Sequence, residues 1–141
     1  MLGAVERLEI FASEEGIRVE NVPLSGMKAM SVRDCCACLD YAQIDTGEEE
    51  TTILAHELGH FMTGSFYNIY TKFDSRAKHE YHADKWAVHK LMPHDDIQEA
   101  IQSGVRNDWE MAEYFGVTFE FVGRAMEIYK RCGIEFESTG S

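Results

Sequence analysis

The feature that most restricts the architecture of this chain is the run His56-Glu57-Leu58-Gly59-His60. On a helix, residues four apart share a face with Cβ atoms about 5–6 Å apart, so His56 and His60 can reach one ion at Zn–N distances of about 2.0–2.1 Å. Glu57 stands beside that face. From there it can take a proton from a water whose pKa a zinc ion lowers from about 15.7 to about 7. A fold that uses this chemistry must keep the segment helical and bring a third ligand to it.

Five residues alone are weak evidence. In a shuffled chain with six histidines, the same pattern would arise roughly once in thirty trials. Their surroundings carry more weight. Thr46-Gly47-Glu48-Glu49 has the form of a capping box, and the acids at 48–50 suit a helix N-terminus, where the macrodipole favours negative charge. Gly64 is a suitable C-cap. The pattern therefore predicts a helix of about four turns, with Ile53, Leu54, Leu58, Phe61 and Met62 as its apolar residues.

Rotation identifies the third ligand. A second helix is expected to begin with Asp74 or Ser75 as its cap. It should run until Pro93, whose missing N–H and restriction of Met92 end it. At about 100° per residue, Ala83, Asp84, Ala87 and Leu91 all fall within about 60° of Glu80. A carboxylate on a buried stripe is costly unless it is paired or metal-bound, and Ala83 and Ala87 are small enough to let two helices approach. Glu80 is thus the third ligand expected. Asp84, one turn later, is placed to accept the free ring N–H of His56 or His60 and so fix the tautomer that exposes a lone pair. His82, Trp86 and His89 fall on the opposite face and read as surface or packing residues, not ligands. Phe66, Tyr67, Tyr70 and Phe73 form an aromatic loop expected mainly to pack over the helices, with stabilisation of an oxyanion by one of its phenols as the alternative.

Three segments together, HELGH at 56–60, Glu80-Tyr81-His82-Ala83-Asp84 and Leu91-Met92-Pro93, resemble the ImmA/IrrE metallopeptidases. These are gluzincin-like proteins common in phages and mobile elements. The resemblance spans roughly residues 17 to 125. It implies His56, His60 and Glu80 as zinc ligands, Glu57 as general base and Asp84 as the carboxylate behind the ligands. It also implies a cytoplasmic endopeptidase that inactivates a helix-turn-helix repressor of the same element, in several cases only when a partner or signal permits. The segment from Phe66 to Lys78 departs from the family pattern in its aromatic and basic content.

With 141 residues and 45% hydrophobic content, the chain can bury a core without disulfides. No Pro/Gly/Ser-rich linker divides it, so a single domain over 1–141 is expected: an N-terminal helix and small sheet (1–45), the zinc-binding helices (46–92) and C-terminal helices (93–141). Charges within the first nine residues disfavour a signal peptide, and no run of about 18 apolar residues occurs, so a cytoplasmic location without membrane contact is expected. Cys35, Cys36 and Cys38 cluster near a turn and Cys132 lies far off; they read as free thiols of a reducing compartment.

Ahead of the motif, Val5, Leu8 and Ala12 recur at helical spacing up to Gly16. Ile17 and Val19 then alternate with charged residues as in an edge strand, and further strands are expected near 28–32 and 36–41, with turns at Ser25-Gly26 and Arg33-Asp34. The fold class expected is α+β: a small antiparallel or mixed three-stranded sheet packed on a zincin-like helix pair, followed by a C-terminal helical subregion. A sheet edge beside the zinc helix would let an extended peptide add as a strand.

The C-terminal third raises a rival function. Asp108 can cap a helix ending at Gly116, and Ala112, Gly116 and Val122 take helix-turn-helix spacing, with Met111, Phe115, Val117 and Ala125 at core positions. Yet from Pro93 onward there are ten acidic and four basic residues, and the second helix carries Glu120 and Glu127. Phosphate contacts supply most DNA affinity, so nucleic-acid binding is not expected, and packing against the zinc domain is the simpler role. The net charge of −12 favours a basic protein partner such as a DNA-binding repressor. The functional expectation is a Zn2+-dependent endopeptidase. The alternative is a non-proteolytic, metal-containing regulatory protein that binds a transcription factor.

Overall fold

The computed structural model describes residues 2–68 and 70–137. Helix α1 (Ala4–Glu14) starts at Gly3, whose N–H donates to the Glu6 carboxylate at 3.1 Å. It stops where Gly16 takes φ +73°, a conformation that costs glycine little, and the Ile17 N–H closes back on the Ala12 carbonyl at 2.8 Å. Leu8 and Ala12 are its buried residues.

Strands β1 (Arg18–Asn21), β2 (Ala29–Val32) and β3 (Cys36–Leu39) form a mixed sheet in the order β1-β3-β2. β1 runs parallel to β3 and β2 antiparallel to it, with Val19 opposite Ala37 and Ser31 opposite Ala37 from the other side. Alternation along β3 sends Ala37 and Leu39 into the core and Cys36 and Cys38 to the opposite face, where both are buried. The connecting turns fall at the two expected places, with positive φ at Gly26 and at Asp34. β2 is an edge strand. The loop leading into it is tied down by buried Asp40, which accepts from the Leu24 N–H at 2.9 Å, from the Ala42 N–H at 3.2 Å and from Gln43 Nε2 at 2.7 Å. Gln43 Nε2 also donates to the Leu24 and Met27 carbonyls at 2.7 and 2.9 Å.

Helix α2 (Gly47–Thr63) is capped by Thr46, whose hydroxyl accepts from the Glu49 N–H at 3.1 Å, and it ends at Gly64 with φ +65°. The box is not fully reciprocal: the Glu49 carboxylate takes the N–H of Asp45 and the ammonium of Lys28 instead of the Thr46 N–H. Helix α3 (Phe73–Leu91) begins earlier than Asp74 or Ser75 capping requires. Lys72 is the N-cap, without a side-chain cap, and the Asp74 carboxylate bonds the adjacent Ser75 N–H instead. The start is tied to the preceding loop by Arg76 in the first turn, whose Nε donates to the Thr71 carbonyl at 3.0 Å. Its end before Pro93 matches the sequence.

The sheet lies against α2, and α3 lies along α2 so closely that a Cβ at Gly59 would stand 2.4 Å from the Ala83 carbonyl oxygen. Gly59, inside the motif, is therefore what allows the two helices to approach, together with fully buried Ala83 and Ala87. On the remote side of α3, Trp86 packs against Phe11 with ring centroids 5.4 Å apart and His89 meets Tyr129 at 5.3 Å.

Helix α4 (His94–Gln102) follows Pro93; helices α5 (Asp108–Phe115) and α6 (Phe119–Arg131) form a hairpin around Gly116. Asp108 is the first residue of α5, not its cap: Asn107 Oδ1 accepts the Glu110 N–H at 2.9 Å, because only the residue before the first helical turn points its side chain at those free N–H groups. α6 packs on α3 as well as α5, burying Phe121, Val122, Ala125, Ile128 and Tyr129. Tyr129 anchors it by donating to the Met92 carbonyl at 2.7 Å. Its exposed side carries Glu120 and Glu127. Among the described residues no helix is long and apolar enough to cross a membrane, and all four cysteines are free thiols.

Candidate metal centre

The HELGH segment lies entirely within α2, and the regular spacing of that helix turns both imidazoles toward α3. His56 Nε2 and His60 Nε2 stand 3.2 Å apart. Glu80, on the α3 face that meets α2, closes the triangle: its Oε2 is 2.9 Å from His56 Nε2 and its Oε1 is 3.1 Å from His60 Nε2. These three side chains are the one group among the described residues whose ligand atoms converge closely enough to hold a metal ion. Contact across the helices is possible because Gly59, one residue before His60, leaves room for the α3 backbone.

Both outer ring nitrogens are engaged. His56 Nδ1 lies 2.6 Å from Asp84 Oδ1 and His60 Nδ1 lies 2.6 Å from the Ser65 carbonyl oxygen. A carbonyl or ionised carboxylate only accepts, so each Nδ1 carries the hydrogen and each Nε2 is left with its lone pair. Two lone pairs and a carboxylate facing one another a few ångströms apart repel unless a cation lies between them. The donor set of two imidazoles and one carboxylate, with its outer nitrogens bonded in this way, fits a divalent ion such as zinc.

The ionisation equilibria report the same demand for positive charge. Burial is the largest influence on His56 and lowers its pKa, yet hydrogen bonds to Asp84 and Glu80 outweigh it and raise the value to about 10. His60 is raised in the same way, burial opposing and the bonds to Glu80 and the Ser65 carbonyl prevailing. Glu80 is held well below the usual carboxylate range: burial alone would raise it, but both histidines pull it down.

Glu57 is buried, and its burial raises its pKa. Ser31 of β2 reaches it from the sheet, donating to the Glu57 carbonyl at 3.0 Å with its hydroxyl 3.4 Å from Oε2. Glu57, His56, His60 and Glu80 all line a cleft of about 870 Å³. One wall of it is the edge of β2, including Lys28, Met30 and Ser31, and the opposite wall is the start of α6, with Phe121 and Arg124. Arg124 Nη1 lies 3.3 Å from the Asp84 oxygen that serves His56. The surface that a recognition helix would present is thus partly built into the cleft.

Sequence reasoning had placed all three converging side chains, Glu57 beside them and Asp84 behind them. It left open which histidine Asp84 serves; the structure pairs it with His56. It missed Ser65, Ser31 and Arg124. Ser65 has a readable signal, since a left-handed cap at Gly64 brings the next N–H back to the last helical turn, here Ser65 N–H to the His60 carbonyl at 3.1 Å, which keeps Ser65 beside His60. Ser31 and Arg124 act from distant segments and left no local pattern. In the aromatic loop, Phe66 packs edge-on to Phe61 at 5.0 Å, as expected. Tyr67 instead lines the cleft, and its phenol is pushed up to about 12, first by burial and then by the nearby Glu80 carboxylate. Tyr70 and Phe73 are largely exposed, at 88% and 86%, and do not cover the helix pair.

A family model described as the IrrE N-terminal-like domain, a peptidase family, matches residues 12–127. No curated protein and no solved structure matches the chain.

Proposed function

This chain belongs to the IrrE N-terminal-like peptidase family, and on that premise we propose that it is a zinc-dependent endopeptidase in which His56, His60 and Glu80 hold the metal and Glu57 is the general base. The observation that carries the reading is the convergence of both Nε2 atoms and the Glu80 carboxylate within hydrogen-bond distance. Two imidazoles and a carboxylate leave a fourth position open, as catalytic zinc sites require. When bound, the ion would polarise the scissile carbonyl and acidify the attacking water. Glu57, with its affinity for protons raised by burial, takes the proton from that water and passes it to the departing amide nitrogen. Asp84 and the Ser65 carbonyl hold the two rings in the tautomer this requires.

The substrate proposed is an extended segment of a protein. β2 ends the sheet, so its outer backbone groups can pair with a peptide laid along the cleft, which brings a carbonyl past His56 and Glu57. A helix-turn-helix repressor is the substrate class that the family resemblance suggests. The net charge of −12 suits a DNA-binding, hence partly basic, partner. Incubation of the zinc-loaded protein with such a repressor, followed by intact-mass spectrometry, tests this. Cleavage at one position by the unsubstituted protein and none by Glu57→Gln is the expected result. An uncut repressor in a stable complex would instead support the regulatory, non-proteolytic reading.

A further inference from the structure

Among the described residues, the helix interiors hold two glycines, Gly59 in α2 and Gly123 in α6. Glycine is disfavoured there relative to alanine, so each calls for a reason. For Gly59 the reason lies inside the protein, where the Ala83 carbonyl occupies the space a Cβ would take. Gly123 has no such neighbour. The position is exposed, and a Cβ there would meet no other part of the protein within 4 Å. The fold itself does not require this glycine.

What surrounds it is apolar and open. Phe119, one turn earlier on the same side of α6, is 38% exposed and stacks on Trp109 of α5, with ring centroids 4.4 Å apart and planes at 27°. Trp109 remains 70% exposed despite that stack. Neither ring belongs to the core. A raised aromatic pair beside bare helical backbone suits a second helix laid across α6, since exposed Trp and Phe supply anchoring area and glycine lets backbones come close.

Charge selects the occupant. From Arg106 to Gly123 the acids are Asp108, Glu110, Glu113 and Glu120, all exposed, against the single base Arg106. A second copy of this chain, with its net charge of −12, would bring the same acids to the contact, and nucleic acid or an anionic membrane would be repelled likewise. A basic helix with one apolar face satisfies both the aromatics and the acids. The patch also continues the cleft, because Thr118 and Glu120, on either side of Phe119, line it.

Resting on the reading that this chain acts on a protein substrate, we infer that the face formed by Trp109, Phe119 and Gly123 is a docking surface for a basic amphipathic helix of that substrate, outside the segment that is cut. Docking there raises the local concentration of the scissile segment at the metal and takes no part in the chemical step.

The probe is a synthetic helix made of Leu-Lys-Lys-Leu-Leu-Lys-Leu twice in tandem, acetylated and amidated; its control carries Glu at every Lys. Titration of the zinc-loaded protein with the basic peptide is expected to shift tryptophan emission to shorter wavelength, a shift that Trp109→Phe abolishes, and the acidic peptide is expected to give no response. Gly123→Gln should hold or raise Tm, because glutamine is the better helix former and nothing crowds the site, yet it should weaken binding of the basic peptide by about 10-fold or more. Phe119→Ala should weaken it similarly. Basic-peptide binding that Gly123→Gln leaves unchanged, no binding at all, or an equal response to the acidic peptide would overturn the inference. So would a dimer seen by sedimentation and abolished by Gly123→Gln, which would assign the face to a second copy. The titration needs no hydrolysis. A protein that binds the peptide here but leaves the repressor uncut would contradict the peptidase reading, whereas one that cuts the repressor but binds nothing at this face would contradict the docking surface alone.

Discussion

Asp84 Oδ1 lies 2.6 Å from His56 Nδ1, while Arg124 Nη1 approaches the same oxygen at 3.3 Å. One carboxylate on α3 therefore orients a ring on α2 and fastens α6 to the metal-binding helix pair. Removing the carboxylate in Asp84→Ala should lower zinc affinity by about 10–100-fold, the usual cost of losing such a partner, without unfolding the protein. Competition with a chromophoric chelator measures it. Unchanged affinity would mean that Asp84 serves only α6.

Glu57 and Glu80 are both carboxylates of the cleft, but their assigned roles predict opposite phenotypes. Glu57→Gln should retain one zinc per chain and lose about 100- to 10,000-fold in hydrolysis, since a glutamine cannot accept the proton. Glu80→Ala should lose the zinc. Elemental analysis of both variants after dialysis, with a peptide-cleavage assay, distinguishes the roles. Zinc-free Glu57→Gln or zinc-replete Glu80→Ala would reverse the assignment.

The close approach at Gly59 sets a third expectation. Alanine is favoured over glycine inside a helix by about 1 kcal/mol, but here its methyl group would stand 2.4 Å from a backbone oxygen that no side-chain rotation can move. Overpacking of that kind costs about 1–3 kcal/mol, and a clash with backbone belongs at the upper end. Gly59→Ala should therefore be net destabilising by about 1–2 kcal/mol, read as a fall of several degrees in Tm, and should weaken zinc binding by parting α2 from α3. A rise in Tm would show that the helices have slack.

Asp40 gives a pH-dependent case. Its pKa is lowered, first by the Leu24 N–H, then by Gln43, with burial opposing. A carboxylate depressed in the folded state stabilises that state above its unfolded pKa of about 3.9, and the contribution is lost as pH falls through the folded value. Asp40→Asn should thus unfold at lower denaturant concentration than the parent at pH 7, and the gap should shrink below about pH 4. A gap independent of pH would place the effect in packing of the loop before β2, not in charge.

What was legible in the sequence depended on whether one helix held the information. His56, Glu57 and His60 are fixed relative to one another by a single turn, and Glu80 and Asp84 by a single turn of another. Periodicity therefore found them, together with Gly64 and Pro93 as terminators. Short-range capping is less legible: Asp74, Ser75 and Asp108 have the composition of caps, but Lys72 and Asn107 occupy those positions. Asp and Ser suit both a cap and a first turn, and contacts to the preceding loop such as Arg76 to Thr71 decide between them. Ser31 at Glu57 and Arg124 at Asp84 join residues 26 and 40 positions apart, and the parallel pairing of β1 with β3 joins strands separated by β2. Such contacts leave no period in a single chain.

The proposed peptidase chemistry requires His56, His60 and Glu80 to share one divalent cation. Crystals of the zinc-loaded protein, measured on both sides of the zinc absorption edge, would locate the metal directly. The expected result is a single anomalous peak about 2.0–2.2 Å from His56 Nε2, His60 Nε2 and one Glu80 carboxylate oxygen. A peak elsewhere, or Glu80 turned away from a metal held by the two histidines alone, would contradict it.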